Sequence, residues 1–494
     1  MKVNVIDLKD DCVVLGSGLS AASVIKTLLD KKKDISVIDA GFDAKKQANN
    51  EEFSLYSKKF SSPKFSDRAS SFVYSGYLEN IGIKEKNFSS IGSLASGGLS
   101  NIWGANLNEY NEKELNMLGC NISETHDAYN FVSRILTKKK YEKYDSHDQF
   151  LKEYPDIMLD EKCLEILNFQ SGDADNIVFN LPRNAIFKTQ NPKKSFQDKW
   201  LGEIKNYSIF NSQNYIKELK LNNSFNYFNK LLILSISRDG DSYLIKTKNL
   251  NTSVIKFFKA KYLFMCMGTL STTKIILEMT QNYNKKIPLL TTPAASVGLA
   301  STSYRKSNNI NLSNLTFEIN SNNEFISGNF IPLSKSLFKR AYAKNFFLRI
   351  LSFACYYLLP RLYILNIYFP SSLSANNIYL SNNNQLVIEG MTHKNLLSSY
   401  KQARKILFNS LKEKKLLELP FFSGLLKPGE DIHYGGTIPI SKNLKDLTCN
   451  INGELHGHKN FYVCDAASMK YLSGKPHSFN MMAHAHLIIK NFSN

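Results

Sequence analysis

Residues 16 to 21 read Gly-Ser-Gly-Leu-Ser-Ala, a G-x-G-x-x-A spacing that follows a β-branched run and opens an apolar helical pattern. Such a turn suits one kind of chemistry. Gly16 permits the tight turn, Gly18 lets a pyrophosphate approach backbone N–H groups at a helix start, and Ala21 is small enough for close helix–strand packing. Asp39 falls at the end of the next apolar run, where a carboxylate can accept hydrogen bonds from both ribose hydroxyls of an adenosine. Turn, helix, strand and acid together predict a dinucleotide site. A glycine turn that merely packs is the competing reading, and the unit alone does not separate NAD from FAD.

The other reactive side chains narrow the chemistry by their spacing. The seven cysteines (Cys12, Cys120, Cys163, Cys266, Cys355, Cys449, Cys464) are scattered, odd in number and never two or four apart. That argues against a zinc ribbon, a ferredoxin-type cluster or a disulfide framework. His484 and His486 are two apart on a predicted helix and point to different faces, while His456 and His458 sit in loop text, so no metal site is expected. Serine-hydrolase, zincin and P-loop patterns do not occur. Lys and Arg number 62 against 43 Asp and Glu, a formal charge of +19 that suits an anionic partner. No zinc-finger spacing, RNP-like strand or basic arm accompanies it, so no nucleic-acid partner is expected. At 494 residues and 43% hydrophobic, the chain can bury a large core, which excludes a disordered tail, a collagen or a disulfide miniprotein. Its first residues, MKVNVIDLKDD, carry acids where a signal peptide needs an apolar stretch, so a cytoplasmic location is expected.

Residues 11–41 read as strand, turn, helix and strand. IGSLASGGLSNIWGAN is a Gly/Ser-rich loop able to bring backbone close to a ligand. LLILSISRDGDSYLIKTKN alternates around an Asp-Gly turn and predicts a hairpin, and KYLFMCMGTLSTTKIILEM again gives a buried strand, a glycine and a helix. Residues 110 to 210 carry no motif and are assigned to a second domain or lid. The end of the chain returns to a glycine turn, a short strand at FYVCDA and a closing helix at SFNMMAHAHLIIKNF.

Four separated segments resemble the glucose-methanol-choline (GMC) family of FAD-dependent oxidoreductases. They are GSGLSAA with VIDAG, GGLSNIWGA, MCMGTLSTTKIIL, and the stretch from IHYGGT through NFYVCDAAS to the closing helix. They cover about a quarter of the chain and follow the family's order. The resemblance implies that Gly16, Gly18 and Asp39 bind ADP, that Gly97, Gly98, Ser100 and Asn101 pass beside the pyrophosphate and flavin ring, and that two further cofactor-binding positions are Gly268, the small residue after the second signature strand, and Asp465, the acid of the C-terminal flavin-contacting turn. Where some members attach FAD through a histidine, the matching position is Ile102, so FAD is expected without a covalent link. His433 in IHYGGT matches the catalytic histidine. Imidazole titrates nearest neutral pH among side chains, and a histidine beside a flavin can take a hydroxyl proton as hydride moves to the cofactor. The second polar partner falls on His477 after a one-residue shift from Pro476, with Asn480 the alternative.

The implied fold is α/β: a Rossmann-type FAD-binding lobe built from discontinuous segments (1–120, 210–300 and 430–494) and an α+β substrate lobe with an antiparallel sheet (301–429), with 121–209 as a mixed segment of lid and substrate lobe. The implied reaction is oxidation of a CH–OH group of an alcohol or sugar. Residues 335–359 form a basic, apolar stretch. Arg349 within it and Pro360 after it argue against a bilayer span, leaving either a helix at an anionic membrane surface, on the inner face, or a buried helix. Membrane contact would make a lipid-linked glycan an attractive substrate. The rival functions are non-oxidative sugar chemistry on a bound flavin and an FAD-stabilised scaffold that docks at a membrane.

Overall fold

The computed structural model describes residues 5–8, 12–41, 73, 76–144, 146–168, 177–189, 206–303, 312–321, 324–333 and 357–493. Residues 334–356, which hold nearly all of the basic apolar stretch, lie outside them, and so does the expectation of membrane contact there. No helix among the described residues is long and apolar enough to cross a membrane.

The fold is mixed α/β, with several sheets. The helices that bear on the site are, in chain order, α1 (Leu19–Asp30), α2 (Glu112–Leu118), α3 (Ser212–Asn222), α4 (Thr269–Met279) and α5 (Ser478–Lys490). Their frame is a five-stranded, wholly parallel sheet in the order Phe461–Val463, Tyr262–Met265, Cys12–Leu15, Ile35–Ile38, Asn226–Phe228. Parallel sheets are covered on both faces, so their strands are apolar throughout. CVVL, ISVI, YLFM and FYV are accordingly buried at every position. The two-residue period then divides each strand between two cores. Cys12, Val14, Phe264 and Tyr462 face α1, α5 and the helix Ile122–Thr137, whereas Val13, Leu15, Met265 and Val463 face α4 and the hairpin Leu231–Asp239/Ser242–Asn249.

A second, six-stranded sheet is antiparallel throughout and carries Ala294–Ser301, Leu315–Ser321, Glu324–Pro332 and Leu362–Tyr368. The helix Leu396–Leu411 covers it with Leu396, Tyr400, Ala403, Leu407 and Leu411.

Four elements bear on the expected lobes. Ala294–Ser301, assigned above to the first lobe, pairs within the antiparallel sheet. Asn376–Leu380 and Leu386–Glu389, within the segment assigned above to the substrate lobe, pack their apolar faces into the core that holds α4. The helix Ile122–Thr137 has Ala128, Tyr129, Val132 and Leu136 fully buried with α1 and α5. Alternation identifies a strand, but its sheet is decided by non-local pairing that a single strand does not encode.

Candidate active site

At the end of Cys12–Leu15 the chain turns on Gly16, whose φ is +103°. A Cβ there would lie 2.5 Å from the Cys266 carbonyl oxygen, so only glycine fits. Gly18 and Gly268 differ: a Cβ at either would meet nothing within 4 Å. They stand at the starts of α1 and α4, which follow two adjacent parallel strands. Neither helix has a side-chain cap or an acid in its first turn. At α4 the Asp465 carboxylate already takes the Gly268 N–H and the Ser271 N–H goes to Tyr77, so the start of α1 is the freer of the two, and its dipole favours an anion there. Bare backbone at open space beside the uncapped start of α1 fits a dinucleotide pyrophosphate.

Ser17 Oγ donates to Asp39 Oδ2 at 2.6 Å and accepts the Gly97 N–H at 2.8 Å. Tyr227 donates to the same Asp39 oxygen at 2.8 Å. Burial pushes the Asp39 carboxyl up to about 6, with those two hydroxyls pulling it back. The Gly97–Asn101 loop is laced to this turn: Ser212 Oγ donates to the Ser17 and Gly18 carbonyls, Ser212 N donates to Ser100 Oγ, and Ser100 Oγ donates to Gly97 O. The Asn101 amide donates to Ser96 O and Gly98 O and accepts from Asn211. Asp465 accepts from Gly268 N at 2.9 Å, Thr272 Oγ1 at 2.6 Å and Ala467 N at 3.0 Å, binding the start of α4 to the last strand, while burial pushes its carboxyl up to about 6.

His433 and His477, 44 positions apart, meet edge to face with ring centroids 5.1 Å apart and an 86° interplanar angle. His477 is buried and its Nδ1 has no hydrogen-bond partner among the described residues. Burial lowers it to about 4, and burial followed by the charge of His477 lowers His433 to about 3, so both rings are neutral near pH 7. A neutral imidazole is the form that can accept a proton.

One cavity of about 500 Å³ touches both the dinucleotide turn and this pair. Of the expected site residues, Gly16, Gly18, Asp39, Gly98, Ser100, Gly268, Asp465, His433 and His477 line it, and so does Ile102. Ala21, Gly97 and Asn101 do not: Ala21 is core, Gly97 has room for no Cβ beside Gln213, and Asn101 spends its amide on its own loop. The alternative Asn480 is excluded. Its side chain accepts from Tyr129 and the Tyr110 N–H and donates to Asn108 O, away from the cavity. His484 and His486 are taken up by Ser468 and Thr27. No group of His, Cys, Asp and Glu that could hold a metal occurs among the described residues. The antiparallel sheet adds Asn329, Ile331 and Tyr368 to the wall.

Set against solved structures, the chain matches pyridoxine 4-oxidase from Mesorbium loti, with 10% sequence identity, a TM-score of 0.60 and 99% of each chain covered. The chain has the fold of that oxidase. No protein-family model and no curated protein matches it.

Sequence reasoning missed Thr292, Asp431, Asn211, Ser212 and Lys475. Asp431, two residues before His433, was the one with a local signal. Ser212 lies far along the chain from the turn it secures.

Proposed function

We propose that this chain is an FAD-dependent oxidoreductase of the GMC type that oxidises a CH–OH group of an alcohol or sugar. One observation carries the reading: a single cavity joins the Gly16–Gly18 turn and Asp39 to the paired rings of His433 and His477. The fold shared with an oxidase and the four family-like segments support it.

The start of α1 would hold the pyrophosphate, Asp39 the ribose, and the Gly98–Ile102 loop and Asp465 the remainder, in a Rossmann-type lobe. FAD, when bound, supplies the acceptor for the hydride. His433 takes the hydroxyl proton, and His477 donates to or accepts from the same hydroxyl with nitrogens the protein leaves free. Tyr368, whose ring lies 5.4 Å from that of His433, and Asn329 on the same cavity wall offer hydrogen bonds to a hydroxyl-bearing substrate. Ile102 has no atom to form a link to flavin, so acid precipitation should leave all the yellow colour in the supernatant.

The test is anaerobic titration of the purified holoprotein with a panel of alcohols, sugars and pyridoxine. Bleaching of the visible flavin band with formation of a carbonyl product is expected, and His433→Ala should slow bleaching by roughly 10²–10⁴-fold. A flavoprotein that no member of the panel reduces would refute the reading.

A further inference from the structure

A base whose conjugate acid is as unfavourable as that of His433 needs somewhere to send its proton. The wall behind His433 supplies a route. Thr292 is fully buried, and its Oγ1 lies 2.6 Å from His433 Nδ1. Beyond it stands Asp431, whose Oδ2 accepts the Thr292 N–H at 3.0 Å and lies 3.4 Å from Thr292 Oγ1. The backbone N–H groups of Asp431 and His433 also point at this carboxylate. Ile432, between the two, holds a φ of +61°, costly for a β-branched residue, and it is this bend that folds the carboxylate back toward the His433 amide.

Among the described residues every hydrogen-bond partner of Asp431 is a donor, so the carboxylate acts as an acceptor. The Thr292 hydroxyl has one proton. If it goes to Asp431, the oxygen lone pair must receive Nδ1–H of His433, and the imidazole proton is fixed on Nδ1. Nε2 then carries the lone pair, and no protein partner meets it among the described residues.

We propose that His433, Thr292 and Asp431 form a proton relay, in which a proton taken up at His433 Nε2 is matched by transfer of the Nδ1 proton to Thr292 Oγ1 and of the Thr292 hydroxyl proton to Asp431. One proton enters and one carboxyl is formed; the imidazole returns neutral in its other tautomer, and no imidazolium stays buried. The relay rests on the proposed oxidation for its use, but not for its existence. Thr292 and Asp431 act through His433 and are positioning residues. Burial pushes the Asp431 carboxyl up to about 7, so it is a better proton store than the ring it serves. The titratable groups around it are Tyr368, Tyr434, His433 and His477, with no cation pairing to it among the described residues.

Ring-nitrogen NMR of the full-length holoprotein with labelled histidine tests this without any substrate. His433 should be an Nδ1–H tautomer at pH 8.5 and turn to neutral Nε2–H as pH falls through about 7, never showing an imidazolium signal in that range. Asp431→Asn should abolish the transition. Thr292→Val should uncouple ring from carboxylate, and Thr292→Ser should restore the wild-type spectra. With a substrate from the panel above, Thr292→Val should lower kcat tenfold or more with little change in KM. An Nε2–H ring at pH 8.5, an imidazolium at the transition, or an unaltered transition in Thr292→Val would each overturn the relay. Expected spectra in a protein that no alcohol bleaches would keep the relay and discard the oxidation. Bleaching with contrary spectra would do the reverse.

Discussion

Lys475, two residues before His477, is the residue that holds its segment down. Its Nζ lies 2.9 Å from Glu114 on α2 and 3.0 Å from Glu318 on the antiparallel sheet, and it donates to the Glu109 carbonyl. Burial works to lower this amine, but Glu318 and Glu114 prevail and hold it above its usual value. Glu114 is wholly buried, so removing the lysine strands a charge. Lys475→Met should cost about 3–5 kcal/mol, seen as a lower Tm, and adding Glu114→Gln should return part of it. His477 gives a pH test. Its folded value, about 4, lies below the ordinary 6.5, so neutral His477 favours the fold and that contribution is lost as pH falls from 6.5 to 4. The Tm of His477→Gln relative to wild type should therefore rise on acidification over that range. Sequence could single out His433 and His477 because imidazole is rare and the surrounding glycines are patterned. It could not single out Thr292, one threonine in a strand-rich region whose role exists only because Asp431 folds back upon it.

At the level of elements, the glycines separate into two physical kinds that one spacing pattern conflates. Gly16 is demanded by backbone contact, so Gly16→Ala should destabilise by about 1–3 kcal/mol or more, with a Tm drop in the cofactor-free protein as well. Gly18 has an ordinary φ of −71° and free space around its Cβ position. Gly18→Ala should leave the Tm of the cofactor-free protein within a degree or two while weakening FAD retention, measured by fluorescence on dilution. Equal loss of stability in both variants would contradict this division. The strands of the parallel sheet were legible because burial on both faces makes them apolar without interruption. The destination of Asn376–Leu380 was not, since its alternating pattern satisfies either sheet.

Across the whole molecule, the dinucleotide turn, the middle strand Tyr262–Met265 and the final strand Phe461–Val463 lie side by side, locked by Asp465. FAD should thus act as a clamp on the entire sheet. Added at a hundredfold excess over Kd, it should stabilise the fold by roughly 2.7 kcal/mol, raising Tm. A chain ended at residue 459 should fail to retain flavin although its glycine fingerprint is intact.

That arrangement also sets a schedule. The fingerprint leaves the ribosome early, but its neighbour's partner strand, the acid that fastens it and His477 follow about 440 to 460 residues later. At about 5–20 residues per second, the gap is on the order of half a minute to a minute and a half. Throughout that interval the nascent sheet has an open edge, so supplying the vitamin-derived group early cannot hasten its capture. Shielding that unfinished edge until translation has passed Phe461–Val463 should therefore raise the yield of flavin-loaded protein more than added flavin does.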